Sequence, residues 1–95
     1  MVQHIVMFWL KDKADVARSA ELLNGMRGKI PGLVSILAAP DFMGSPRSCD
    51  LCLTTLFETR EALEVDRTHP GHLPVQKHMH AVMERSASAD FEVEA

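Results

Sequence analysis

The sequence lacks an excess of basic charge, a long apolar segment and any tyrosine. Ten Lys and Arg residues against 13 Asp and Glu residues give a formal net charge of -3. Phosphate backbones are bound by basic stripes, and here the basic residues are scattered, so we expect no nucleic-acid partner. The apolar run at residues 5–10 is too short to span a bilayer, so we expect no membrane partner either.

Cysteine is also scarce. Cys49 and Cys52 have a C-x-x-C spacing, which occurs in zinc sites and in thioredoxin-like dithiols. No second pair of ligands lies at a suitable distance in the sequence. Residues 50–57 have a strand pattern, in which side chains three residues apart point to opposite faces. We therefore expect two free thiols in a reducing, cytoplasmic environment, and no metal site.

The residues that are present predict one folded domain over residues 1–95. Segments rich in β-branched and aromatic residues, which predict strands, are residues 2–10, 33–39, 50–57 and 88–94. Segments with apolar residues at steps of three and four, which predict helices, are residues 14–28, 60–67 and 74–85. Thr59 is placed to cap the second helix, and the last strand alternates as an edge strand. The order β-α-β-β-α-β is that of the ferredoxin-like α+β fold, with a four-stranded antiparallel sheet.

The predicted strands are apolar on both faces. Alternation places Val6, Phe8, Leu10, Leu51, Leu53 and Phe57 on the face that helices would cover. It places Ile5, Met7, Trp9, Cys52 and Leu56 on the other face. Leaving the four large side chains of that second set in water would forgo roughly 6 to 12 kcal/mol, an upper bound. This predicts a homodimer in which two sheets face each other through Ile5, Met7, Trp9 and Leu56, the alternative being a monomer that tolerates the exposed face.

Several stretches of the sequence are together similar to one known family. They are residues 3–12 (Gln-His-Ile-Val-Met-Phe-Trp-Leu-Lys-Asp), 29–32 (Lys-Ile-Pro-Gly), 50–51 (Asp-Leu), 56–63 (Leu-Phe-Glu-Thr-Arg-Glu-Ala-Leu) and 68–72 (Thr-His-Pro-Gly-His). Over nearly the whole chain they resemble the stress-responsive A/B barrel (Dabb) family. The His-Pro-x-His element between two helices is the most specific part. The resemblance implies a dimeric α/β barrel.

The resemblance implies little chemistry, since most members have no assigned reaction. One plant member is a polyketide cyclase that closes an aromatic ring by aldol condensation without a cofactor. Its essential histidine falls on His72 and a second pocket histidine falls on His4. Its pocket tyrosines fall on Leu23 and Asp66, so this chain, which has no tyrosine, departs from the cyclase there. We expect no cofactor.

The candidate catalytic residues are His72, His4 and Asp66. His72 shares a helical face with Val75 and Met79, so its imidazole is expected to point toward the sheet. Histidine side chains titrate near neutral pH, so His72 is a candidate general base, with Asp66 placed to orient it. The alternative is structural: His72 closes the corner between two helices by hydrogen bonding a backbone carbonyl.

These residues predict a small apolar pocket in each subunit, between sheet and helices, that binds a small organic ligand. The expected walls are Val6, Phe8, Leu53 and Leu63. The alternatives are a cofactor-free cyclase, isomerase or lyase with His72 as base, a monooxygenase of the related barrel type, and a non-enzymatic stress protein. His78 and His80 lie about 200° apart on a helix, cannot hold one ion, and are expected on the surface.

Overall fold

The computed structural model describes residues 1–94, and its sheet has the predicted topology. The strands are β1 Val2–Leu10, β2 Leu33–Pro40, β3 Leu51–Phe57 and β4 Met83–Glu92. They form one antiparallel sheet in the order β2-β3-β1-β4, with β4 at an edge as predicted. The helices are α1 Val16–Asn24, α2 Arg60–Thr68 and α3 Leu73–Val82. The ferredoxin-like arrangement is therefore confirmed.

The first helix is shorter at both ends than the predicted span of residues 14–28. A single 3-10 turn, Lys13–Asp15, precedes it, and the Asp12 side chain accepts a hydrogen bond from the Ala14 amide at 2.9 Å. After Asn24 the chain continues in turns whose backbone hydrogen bonds join residues three apart. It cannot continue as a helix through Gly28, because the positive φ of 77° at that residue is not a helical conformation. The apolar spacing in the sequence extends past the end of α1 because Met26, although outside the helix, is buried in the core.

The last helix and strand also differ from the prediction of residues 74–85 and 88–94. α3 ends at Val82, and β4 begins at the next residue. The reason is pairing with β1: Trp9 lies opposite Arg85, and the Lys11 amide donates to the Val82 carbonyl at 2.9 Å. Pairing with β1 gives hydrogen-bond partners to the backbone amides and carbonyls of the residues after Val82, which the local pattern had assigned to the helix.

The hydrophobic core lies between the sheet and the helices. In β3 every second residue, from Leu51 to Phe57, is buried, while the residues between them are only partly buried. The core cluster consists of Phe8, Leu10, Leu23, Met26, Ile30, Ile36, Ala38, Leu51, Leu53, Val75 and Met79. Thr59 caps α2 as predicted, by accepting a hydrogen bond from the Ala62 amide at 3.1 Å.

The outer face of the sheet carries the second apolar set, as the alternation predicted. Met7 is 39% exposed, and Ile5, Trp9 and Leu56 are partly buried in the single chain. Strand register adds two residues that were not predicted for this face: Leu37 pairs with Thr54, and Phe91 pairs with Gln3. Leu37 and Phe91 are 56% and 46% exposed, so the outer face is a broad apolar surface. Within residues 1–94, no helix is long and apolar enough to cross a membrane.

Candidate functional site

A cavity of about 580 Å³ lies between the sheet and the helices. Its apolar part is formed by Val2, Met26, Leu33, Ile36, Leu53, Phe57 and Leu63. Helices α1 and α3 pack against Phe8 and Leu51 in the core, so the cavity opens beside them, over the part of β1 that holds Val2 and His4. A space of this size is in the range of small-molecule sites.

His4 and Asp90 form the polar pair on the sheet side of the cavity. They lie directly opposite each other in β1 and β4, and the Nδ1 of His4 is hydrogen-bonded to the Asp90 carboxylate. A carboxylate only accepts when it is ionised, so the proton is on Nδ1, and in the neutral ring Nε2 carries the free lone pair. This arrangement holds an imidazole in one tautomer and makes it a base at Nε2.

Asp66 lies on the helix side of the cavity. It is the one buried residue of α2 (Arg60–Thr68), with 9% of its surface exposed. Burial raises the pKa of its carboxyl group above the usual value, while His72, His4 and His69 act to lower this pKa, in that order of strength. The net result is a carboxyl that takes up a proton more readily than one in water.

His72 lines the cavity at the start of α3. Its Nδ1 lies 3.3 Å from the sulfur of Met26, which can only accept a hydrogen bond. Nδ1 therefore donates, and Nε2 of the neutral ring keeps the lone pair. The structural alternative expected a hydrogen bond to a backbone carbonyl; in residues 1–94 the His72 ring contacts the Met26 sulfur instead.

The rim of the cavity carries paired charges. Arg60 of α2 donates to Glu92 of β4 at 2.9 Å, linking the helix to the edge strand. Arg67 lies 3.5 Å from Glu64 on the same helix. Both pairs are largely exposed, so each contributes little to stability, but they leave neither arginine of the cavity lining unpaired.

The structure brings together most of the predicted site residues. His4, Asp66, His72, Leu53 and Leu63 all line the cavity. The other two expected walls do not line it. Phe8 is a core residue with 7% exposure, and Val6 packs against the same cluster, because the helices cover this end of the sheet.

The sequence analysis did not predict the other cavity residues, among them Gln76, Ser88 and Asp90. Ser88 and Asp90 lie on the cavity side of β4, two residues apart, and pair with Val6 and His4. The alternation of residues 88–94 was a visible signal for this face. Which β1 residue each of them meets depends on register, which the sequence does not specify.

Two expectations about single residues are also settled. His78 is not simply a surface residue: its Nε2 shares a hydrogen bond of 2.9 Å with the hydroxyl of Ser19, which is fully buried. His80 is exposed as expected. Cys49 and Cys52 are both free, and burial raises the pKa of the Cys52 thiol. Among residues 1–94 no cluster of three His, Cys, Asp or Glu side chains is arranged to hold a metal ion.

The fold and this cavity define a ferredoxin-like α+β domain with a pocket lined by imidazoles and carboxyls. The family model of the Stress Responsive A/B Barrel Domain (Dabb) matches residues 2–93, and the chain belongs to this family. The resemblance drawn from the sequence is thereby confirmed. No protein with a curated description is significantly similar in sequence.

Solved structures with the same fold include proteins of several kinds. A dimeric ferredoxin-like protein of unknown function from Bacteroides fragilis is 26% identical, with a TM-score of 0.84 over 97% of this chain and 95% of that one. The hydroxynitrile lyase of Passiflora edulis is 12% identical, with a TM-score of 0.82 over 98% and 93%. An antibiotic biosynthesis monooxygenase is 12% identical, with a TM-score of 0.75 over the whole of both chains. The last two show the fold alone.

Proposed function

We propose that the chain is a cytoplasmic homodimer with one cavity per subunit, which binds a small, partly apolar organic ligand. The observation that carries the proposal is the cavity itself, in which an apolar wall lies beside polar groups that include His4, Asp66 and His72. Small-molecule sites combine an apolar surface, which binds the body of the ligand, with polar groups that orient it, and this cavity offers both.

The dimer half of the proposal rests on the outer face of the sheet. Met7, Leu37 and Phe91 are between 39% and 56% exposed on a face that none of the helices in residues 1–94 covers. A second copy packed about a twofold axis buries the same patch on both subunits and closes without further association. The relative from Bacteroides fragilis is described as dimeric, which supports the same assembly here.

The dimer is tested by placing a charge on the outer face. We expect the wild type to sediment as a dimer at micromolar concentration, and Met7→Glu to sediment as a monomer, since the charge has no partner in a dry interface. Lys77→Glu, on the exposed side of α3, is the control and should remain dimeric. A monomeric wild type would refute the dimer and leave the cavity in place.

Ligand binding is tested at His72. Native mass spectrometry of protein purified from cells, and crystals grown without added ligand, should reveal a bound organic molecule. The His72→Ala variant should keep the dimer and lose or exchange this molecule, whereas His80→Ala, on the exposed side of α3, should retain it. If both variants and the wild type are empty, and a panel of small aromatic compounds leaves the melting temperature unchanged, the ligand proposal fails.

A second candidate is a cofactor-free enzyme acting on a carbonyl compound, with His72 as general base. The observation in its favour is that hydrogen bonds from Nδ1 leave Nε2 as the basic nitrogen in both His72 and His4. Such a base removes a proton from the carbon next to a carbonyl, which is the first step shared by cyclases, isomerases and lyases. The fold is also that of a lyase and a monooxygenase, which supports an enzyme without choosing its reaction.

Proton abstraction is tested directly by exchange. Acetophenone incubated with the protein in deuterium oxide should exchange its methyl protons faster than in buffer, as followed by proton NMR. His72→Ala should lower the rate by about 100-fold or more, the usual contribution of a positioned base. Absence of exchange with a panel of enolisable ketones, together with a retained ligand, would favour a binding protein or a non-enzymatic stress protein.

A further inference from the structure

We propose that Asp66 acts in the cavity as a protonated carboxylic acid, whose O–H donates a hydrogen bond to an oxygen atom of an uncharged ligand. The inference deepens the proposed function, on which it rests, by naming the ligand class: a neutral molecule with an apolar body and a carbonyl or similar oxygen acceptor. It also assigns to Asp66 a role different from the one expected from the sequence, where it was to orient His72.

The position of Asp66 carries the first part of the argument. The side chain comes from α2, is nine-tenths buried, and lines the cavity together with His4 and His72. The neighbours that influence its pKa are three imidazoles, and within residues 1–94 no hydrogen bond to its carboxyl oxygens stabilises the charged form. Burial without such donors raises the pKa of the carboxyl, and in its protonated form the group has one O–H to donate.

The groups around Asp66 carry the second part. His4 faces it from β1, and His72 and His69 face it from the link between α2 and α3. Each imidazole is already engaged at Nδ1: His4 with Asp90, His72 with the Met26 sulfur, and His69 with the Gly71 amide. The charged residues of the rim, Arg60, Glu64, Arg67 and Glu92, pair with one another. Among the described residues, Asp66 is thus the carboxyl of the lining that has neither a hydrogen-bond nor an ion-pair partner.

The charge of the lining decides the ligand class. Asp90, Glu64 and Glu92 line the cavity besides Asp66, against two arginines that are paired at the rim. Because both arginines already pair with carboxylates, an anionic ligand would bring a negative charge beside these acidic groups with no unpaired arginine of the lining to offset it. A neutral ligand avoids this cost, and its oxygen accepts a hydrogen bond from the O–H of Asp66, which is itself largely shielded from water. A carbonyl held in this way is polarised next to the Nε2 atoms of His4 and His72.

The test compares two probes of nearly equal shape, acetophenone, which has an oxygen acceptor, and ethylbenzene, which has none. Binding of each is measured by NMR titration from about pH 4 to about pH 9, which spans the range in which carboxyls and imidazoles titrate. We expect the wild type to bind acetophenone about fivefold to tenfold more tightly than ethylbenzene at low pH, the value of one hydrogen bond. This preference should disappear as pH rises and Asp66 loses its proton.

Three variants separate Asp66 from the neighbouring histidines. Asp66→Asn should prefer acetophenone at every pH, because an amide N–H donates without titrating. Asp66→Leu should show no preference at any pH, while still binding ethylbenzene. Glu61→Gln removes an exposed carboxylate from the same helix and should behave as wild type. Benzoate, the anionic probe, should bind more weakly than acetophenone to the wild type.

The outcomes distinguish this inference from the proposed function. If the preference for acetophenone is independent of pH in the wild type, or survives in Asp66→Leu, the role of Asp66 is wrong while the pocket remains. If neither probe nor any other small compound binds, the pocket proposal fails and the inference with it. A carbon-13 NMR titration of the free protein is a further check, since an Asp66 carboxyl ionised throughout this pH range would overturn the inference alone.

Discussion

His4 and Asp90 are separated by 86 positions in the sequence, and they form a hydrogen-bonded pair because β1 and β4 run side by side in register. The pair joins the first strand to the last on the cavity side of the sheet. Its carboxylate does for His4 what the sequence had suggested Asp66 would do for His72. The tautomer of His4 is thereby determined by the edge strand.

The first prediction concerns this pair. Asp90→Ala should release the His4 ring, so that its two nitrogens become more equally protonated. The substitution should lower the free energy of unfolding by about 0.5 to 1 kcal/mol, a small amount because the pair is partly exposed. Nitrogen-15 NMR of the histidine rings measures the tautomer, and urea unfolding measures the cost. Glu92→Gln, on the same face of β4, is the control and should leave the His4 signals unchanged. An unchanged tautomer in Asp90→Ala would contradict the assignment.

The second prediction concerns the stability contributed by Asp66. Burial raises the pKa of this carboxyl in the folded state above the unfolded value near 3.8, so the folded protein holds more protons between the two values. The free energy of unfolding therefore falls as pH rises from about 3.8 through the folded pKa, and is flat above it. Asp66→Asn, which does not titrate, should gain stability relative to the wild type across that same range.

Thermal unfolding of both proteins over this range of pH measures the difference. The gain of Asp66→Asn in melting temperature should grow with pH and then level off. Glu61→Gln should show no such trend, because that carboxylate is exposed. A difference that is constant with pH, or that shrinks, would mean that the folded pKa is not raised.

The third prediction compares two glycines with nearly the same backbone conformation. Gly28 and Gly32 have φ of 77° and 78°, but a Cβ on Gly28 meets open space whereas one on Gly32 lies 2.5 Å from the Cβ of Ala62. Gly28→Ala should cost about 1 to 2 kcal/mol for the left-handed conformation. Gly32→Ala should cost about 1 to 3 kcal/mol more, since α2 must shift away from the start of β2.

Chemical denaturation of the two variants gives both costs. Adding Ala62→Gly to Gly32→Ala should recover the part due to the clash, after allowing about 1 kcal/mol for glycine in a helix. Equal costs for Gly28→Ala and Gly32→Ala would show that the contact between α2 and Gly32 does not constrain the fold.

The fourth prediction concerns the contact between α1 and α3. His78→Ala should cost about 1 to 3 kcal/mol, because it leaves the buried hydroxyl of Ser19 without its partner at 2.9 Å. Ser19→Ala removes that hydroxyl and should cost less. His80→Ala, on the exposed side of the same helix, should change stability by less than about 0.5 kcal/mol. Urea unfolding of the three variants tests this order, and a neutral His78→Ala would contradict it.

Local pattern was sufficient to predict most of the fold. The alternation in residues 2–10 and 50–57 correctly divided the strands into two apolar faces, because side-chain direction in a strand depends only on position along the chain. Thr59 was correctly predicted as a helix cap because a capping side chain bonds a backbone amide within three residues of it. Local pattern predicted the wrong element where long-range pairing decides the structure. Met83 to Arg85 continue a helical periodicity, but they pair with β1 and belong to the sheet.

The sequence by itself determined the number and order of the strands, the two apolar faces of β1 and β3, and the family, and it predicted His4, Asp66 and His72 as neighbours. Only the tertiary structure decided which partner each of them meets. The register of β4 brings Asp90 to His4, the packing of α1 and α3 removes Phe8 from the cavity wall, and the position of α2 buries Asp66. These contacts join residues far apart in the chain, so their free energies depend on the whole arrangement and on no local pattern.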